Sequence, residues 1–183
     1  RQDRQYMKLM IASDIHGSAY YCRLLKERCK EEKADLLILL GDLLYHGARN
    51  ALPREYSTLE TAEVLNSMKD DLVCVRGNCD SEVDELVLEF PIGAEYCVLP
   101  YAGRRLFLTH GHKTPKHLKK GDVLFNGHFH VPAFEEREDC IYVNCGSVSI
   151  PKENSPHSYL VLEEGVLVWK DVTTGEPFKT AQL

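Results

Sequence analysis

The chain has 183 residues, of which 44% are hydrophobic and 27% charged, the size and balance of one folded domain rather than of a disordered segment. A net charge of −6 argues against a broad nucleic-acid-binding face, and the longest aliphatic run, LLILL at 36–40, is far too short to span a bilayer. No apolar signal segment opens the sequence, and the seven cysteines include no CxxC pair, which points to a reduced, cytoplasmic setting.

The stretch RQDRQY at 1–6 is polar and without pattern. It is read as an extra start, which leaves 7–183 as a single domain. KLMIA at 8–12 is a short buried strand. Ser18 caps a helix reaching residue 32, with Cys22, Leu25 and Cys29 on one face. DLLILL at 35–40 is a second strand, and the Gly- and Pro-containing segment 43–56 a long loop. A helix with a Ser/Thr start covers 57–67, and DLVCV at 71–75 is a third strand. This alternation predicts an α/β fold with a largely parallel sheet. Beyond it the pattern changes to short strands near 95–100, 104–109, 122–126, 132–137, 140–144, 157–162 and 165–170. Turn signals such as AGR and EEG separate them, so the second half reads as mostly antiparallel hairpins.

The strand ends carry the chemistry. Asp14-Ile15-His16 follows the first strand, Gly41-Asp42 the second and Gly77-Asn78 the third. His110-Gly111-His112 follows RLFLT, and Gly127-His128-Phe129-His130 follows VLF. In an open α/β sheet the carboxyl ends of strands converge on one edge, where ligands bind. Two carboxylates, a carboxamide and several imidazoles suit borderline divalent metals such as Mn, Fe, Zn or Co better than Ca or Mg. Seven ligands are too many for one tetrahedral ion and about right for two that share a carboxylate. The GHFH spacing, read as extended chain, turns His128 and His130 to one side and sends Phe129 to apolar packing.

The ordered series DIH (14–16), GD (41–42), GN (77–78), His110 and GHFH (127–130) resembles the calcineurin-like metallophosphoesterases. Within them it is similar to the small bacterial YfcE-like phosphodiesterases, on KLMIASDIHGS, ARNALP, VRGNCDSEVD, RLFLTHGH and GSVSIPK. The resemblance covers nearly all of the chain from Met7 to about Leu162. It implies a four-layer αββα sandwich with two facing mixed β-sheets. It implies two divalent ions, manganese first, with zinc, iron, nickel or cobalt as alternatives. Asp14, His16 and His130 would hold one ion, Asn78, His110 and His128 the other, and Asp42 would bridge them. Asp42, Asn78 and His110 are thereby expected to be catalytic.

The activity implied is hydrolysis of a small phosphodiester by in-line attack of a metal-bridging hydroxide, in a protein of a family that often forms homo-oligomers. Two dications, two carboxylates and one hydroxide leave about +1 at the centre, enough to bind an anion in an acidic protein. One departure stands out: many broader relatives place a histidine after the GN asparagine, and here Cys79 stands there, a poor general acid at neutral pH. His46, Arg49, Cys79 and His112 are the expected substrate contacts or proton donors, and Asp80 an orienting group. Ser147 and Ser149 lack the G-x-S-x-G setting of a nucleophile and are read as turn builders. The competing readings are a phosphomonoesterase, a nucleotide pyrophosphohydrolase, and a non-catalytic scaffold like the phosphoesterase-like subunit of the retromer coat. A complete ligand set argues against the last.

Overall fold

Strand β1 (Leu9–Ala12) is apolar on both sides because it is covered on both sides. Leu9 and Ile11 face one core, Met10 and Ala12 another. A computed structural model describes residues 7–183 of the protein, so the reading of 1–6 as an extra start lies outside the described residues. From β1 the chain enters α1 (Ala19–Glu32), where Ser18 accepts a hydrogen bond from the Tyr21 amide as N-cap. Strand β2 (Leu36–Leu39) follows, then α2 (Thr58–Asn66), capped by Ser57, and β3 (Leu72–Cys74). Strands β1, β2 and β3 are parallel, in register Leu9–Leu36 to Ala12–Leu39 and Leu37–Leu72 to Leu39–Cys74.

The remaining strands are β4 (Tyr96–Tyr101), β5 (Arg104–Thr109), β6 (Val123–Asn126), β7 (Ala133–Glu136), β8 (Ile141–Asn144), β9 (Ser158–Glu163), β10 (Val166–Asp171) and β11 (Pro177–Gln182). They complete two mixed sheets, ordered β11-β10-β9-β1-β2-β3 and β4-β5-β6-β8-β7. The hairpins β4–β5 and β9–β10 turn through Ala102-Gly103 and Glu164-Gly165, all four residues at positive φ, the two-residue turn that matches strand twist. The second half is mostly antiparallel, as expected, in the pairs β4–β5, β7–β8, β9–β10 and β10–β11. The exceptions are β5 with β6, and β6 with β8, which pair in parallel. The crossover 110–122 between β5 and β6 contains no helix, so the helical signal of a parallel connection is missing there. Strand β11 was not anticipated, because PFKTAQ is mostly exposed and shows no strong apolar alternation.

The two sheets face each other across Ile11, Ile38, Leu108, Phe125, Leu160 and Trp169, all buried. Each fully buried side chain of this kind contributes roughly 1.5–3 kcal/mol. Helices α1 and α2 cover the outer face of the first sheet through Cys22, Leu25, Ala62 and Leu65. On the outer face of the second, Phe107, Leu124 and Tyr142 pack with Leu118 of the loop 110–122. The carboxyl ends of β1, β2, β3, β5 and β6 all deliver their loops to one edge.

Candidate metal centre

The loops at that edge are bound to one another by backbone. The Asp14 amide donates to the Gly41 carbonyl (3.0 Å) and the His16 amide to the Asp42 carbonyl (2.9 Å). Ser147 Oγ donates to the Asp14 carbonyl (2.8 Å), and Ser149 Oγ to that of Ile15 (2.6 Å), so the two serines do build the turn. Asp80, buried, accepts from the amides of Asp42, Leu43 and Gly77 at 2.9, 2.9 and 2.7 Å, orienting the loops after β2 and β3 together. A Cβ on Gly77 would collide with the carboxylate and amide of Asp42, and one on Gly127 with Ser13 Oγ and the Asp14 carboxylate. These glycines are what permit the close approach.

Five of the predicted ligands stand at positive φ: Asp14 (57°), His16 (49°), Asp42 (55°), His128 (64°) and His130 (61°). The extended reading of GHFH is therefore corrected. The two histidines do turn inward, but from left-handed backbone. Phe129 is 52% exposed rather than packed in a core, its ring edge-on to His128 with centroids 5.0 Å apart.

The seven predicted ligands come together. His130 Nε2 lies 3.1 Å and His16 Nε2 3.4 Å from Asp14 Oδ1, and the two nitrogens are 3.3 Å apart. Asp42 Oδ2 sits between the halves of the site, 3.1 Å from His110 Nε2 and 3.7 Å from His16 Nε2. His110 Nε2 is also 2.9 Å from Asn78 Oδ1 and 3.2 Å from His128 Nδ1. Potential ligand atoms of Asp14, His16 and His130 all lie within 4.8 Å of one another, as do those of Asp42, His110 and His128. Cys79 Sγ joins His16 and Asp42 in a third, overlapping group.

The histidine tautomers follow from backbone acceptors. Nδ1 of His16, His110 and His130 faces the carbonyl of Tyr45 (2.8 Å), Leu40 (2.7 Å) and Ile150 (2.7 Å) respectively. A carbonyl can only accept, so each Nδ1 is protonated and each Nε2 is turned to the centre, the arrangement that metal-binding imidazoles adopt. Asp14 and Asp42 are 0% and 2% exposed, and among the described residues their only ion-pair partners are histidines. Buried carboxylates facing inward-directed imidazole nitrogens, with no lysine or arginine between, are a donor set that fits divalent cations.

Burial presses the His110 pKa down, but hydrogen bonding to Asp42 and the charges of Asp14 and Asp42 carry it up to about 9; burial also presses His16 down, and its hydrogen bond to Asp14 and the Asp14 charge carry it up. Asp14 is raised by burial, yet its bonds to His130 and His16 bring it well below the usual carboxylate range. Burial together with the His110 charge lowers His128. The Cys79 thiol is pushed up to about 12 by burial and the neighbouring Asp42 charge.

The expected substrate residues separate. Arg49 and Cys79 line a cleft of about 320 Å³ over the centre, together with Lys152, which sequence reasoning missed. Lys152 had only its place at the end of GSVSIPK as a signal. His46 turns its ring to Tyr45 and Tyr56 and its Nδ1 to the Asn50 carbonyl (3.3 Å), shaping the turn that carries Arg49. His112 is exposed, its ring 5.4 Å from that of His110 and 6.2 Å from that of His128, and it lines a second cleft of about 400 Å³ with Asn78, Arg76 and Lys113. His157 is half-buried and stacked on Tyr21, with ring centroids 3.9 Å apart.

Residues 7–165 match the family described as the calcineurin-like phosphoesterase superfamily domain. The chain is 47% identical over 165 residues to Phosphodiesterase YfcE of Escherichia coli strain K12, covering 88% of this chain and 90% of the relative. A solved structure of Yfce, described as a phosphoesterase from E. coli, superposes with a TM-score of 0.91 at 42% identity, covering 96% of this chain and 99% of that one. Vacuolar Protein Sorting 29 from Cryptosporidium parvum shares the fold, with a TM-score of 0.64 at 17% identity over 97% of this chain and 98% of its own.

Proposed function

Since the chain belongs to the calcineurin-like phosphoesterase superfamily, we propose that it is a metal-dependent phosphodiesterase acting on small phosphodiesters, with residues 7–183 as one catalytic domain. The observation that carries this reading is the position of Asp42 Oδ2 between His110 and His16, with ligand groups complete on either side. Asp14, His16 and His130 would hold one ion and Asn78, His110 and His128 the other, with Asp42 shared. A pair of divalent ions there, manganese first, with zinc, iron, nickel or cobalt as alternatives, supplies Lewis acidity and makes water nucleophilic at neutral pH.

The protein's own part is orientation. Carbonyls of Tyr45, Leu40 and Ile150 fix three imidazoles, and Asp80 fixes the two loops that carry Asp42 and Asn78. Arg49 and Lys152 bring positive charge to the mouth of the cleft in a chain whose net charge is −6. The group after Asn78 is a thiol rather than an imidazole, which favours substrates with acidic leaving groups. No helix is long and apolar enough to cross a membrane among the described residues, and all seven cysteines are free. The free thiols support a reducing, cytoplasmic setting.

The test is hydrolysis of bis(p-nitrophenyl) phosphate with added Mn, Co, Ni or Zn. Metal-dependent release of p-nitrophenol is expected, and inactivity with all four ions overturns the reading. Exchange of Asp42 for Asn should lower metal content and reduce kcat/KM by about a hundredfold or more. If both persist, the bridging role is wrong.

A further inference from the structure

Two clefts reach the centre and share Asn78 as a wall, but their charges differ. In the second, Lys113 is paired with Glu95 at 2.6 Å and Arg76 lies close enough to lower the Glu95 pKa, so charge there is balanced. The first carries Arg49 and Lys152, and its only carboxylate is Asp42, already committed to the ligand cluster. Neither cation has an ion-pair partner among the described residues.

Both stand on fixed backbone. The Lys152 amide donates to the His130 carbonyl at 3.0 Å, and Ser155 Oγ donates to the Lys152 carbonyl at 2.6 Å. Arg49 sits in a turn closed by the Asn50 amide on the Gly47 carbonyl (3.0 Å) and by Asn50 Nδ2 on the His46 carbonyl (2.9 Å). The base of Lys152 is thus held against the His130 loop and that of Arg49 within a closed turn, and both residues line the cleft.

A diester phosphate carries one negative charge, and divalent ions at the centre suffice to match it. Two further cations lining the cleft, without ion-pair partners among the described residues, exceed that need. Building on the phosphodiesterase reading, we propose that the Arg49–Lys152 cleft receives an ester arm bearing a second phosphate. The preferred substrates are then diesters with an additional phosphate on one arm, held by charge-assisted hydrogen bonds. The charge-balanced cleft takes the other, uncharged arm.

The probes are two p-nitrophenyl esters of thymidine 5′-phosphate, one with a free 3′-hydroxyl and one phosphorylated at that position, both read by release of p-nitrophenol with manganese present. The phosphorylated ester should show a kcat/KM about tenfold higher, expressed in KM, the worth of one charge-assisted hydrogen bond. The preference should weaken with added salt. Lys152→Ala should remove most of it, and Lys152→Arg should keep it. Equal kcat/KM for the two esters in the natural protein overturns the inference while leaving the phosphodiesterase reading intact. So does a Lys152→Ala variant that loses equally on both, since the lysine would then be serving the scissile phosphate. Hydrolysis of neither ester by protein that cleaves bis(p-nitrophenyl) phosphate overturns this inference alone, and inactivity on all three overturns the phosphodiesterase reading with it.

Discussion

At Asp14, His16, Asp42, His128 and His130 the backbone is left-handed, a conformation that costs a non-glycine residue on the order of 1–3 kcal/mol. Five such residues in one site persist only because their neighbours over-determine them, through the loop-to-loop bonds and serine hydroxyls around Asp14. The gain is direction, since these side chains are aimed at the centre. The identity of these residues was legible in the sequence because each follows an apolar strand. Their backbone was not, because Asp and His carry no signature of positive φ comparable to that of glycine. The exposure of Phe129 departs from expectation for the same reason, because its flanking histidines are left-handed rather than extended. Cys79 belongs to this scale too. Its thiol is pushed up to about 12 by burial and the Asp42 charge, and a thiol is a poor general acid at neutral pH. Cys79→Ala should therefore keep the kcat/KM for an aryl phosphodiester within about threefold of the natural protein; a loss beyond about a hundredfold would give the thiol a direct part in the reaction.

The elements are tied by two carboxylates. Asp80 joins the ends of β2 and β3 through three backbone amides. Asp80→Ala leaves those donors unpaired and should cost about 3–5 kcal/mol in urea unfolding, with metal affinity falling as the Asp42 and Asn78 loops separate. An unchanged midpoint would show that the clamp is idle. Glu32, at the end of α1, receives Tyr159 Oη (2.8 Å) from β9 and Lys170 Nζ (2.6 Å) from β10, and Lys8 Nζ lies 3.1 Å away. Burial would raise its pKa, but these partners prevail and lower it below 4.5. A depressed carboxylate contributes stability that is present above its unfolded value and lost as pH falls through the folded one. The natural protein should exceed Glu32→Gln in stability above pH 4.5, and the gap should close as the solution is made more acid. A gap that widens toward acid would refute this. Helices α1 and α2 were readable from the Ser18 and Ser57 caps and their apolar faces. The parallel pairs β5–β6 and β6–β8 were not, because no helical segment marks their crossovers, and edge strand β11 buries too little to leave a pattern.

At the scale of the whole molecule the site rests on two cores, one under the helices and one between the sheets, neither of which includes a predicted ligand. The second centres on Trp169, fully buried, whose Nε1 donates to the Asn144 carbonyl at 2.7 Å. Trp169→Ala should destabilise the fold by about 3–5 kcal/mol, measured by thermal or urea unfolding. A loss under about 1 kcal/mol would mean the sheets close over the gap. Asn144 does more than accept from the indole, for its side chain holds the Gly127 carbonyl (2.8 Å) and the Gly146 amide (2.8 Å). Gly127 is the root of the loop bearing His128 and His130. Trp169 is also the only tryptophan in the chain, so its emission arises from one environment, one residue removed from that root. The protein thereby carries its own optical gauge: a spectral shift on loading the centre reads movement of the histidine loop, and its loss of structure on unfolding reads the sheets, from a single unlabelled indole.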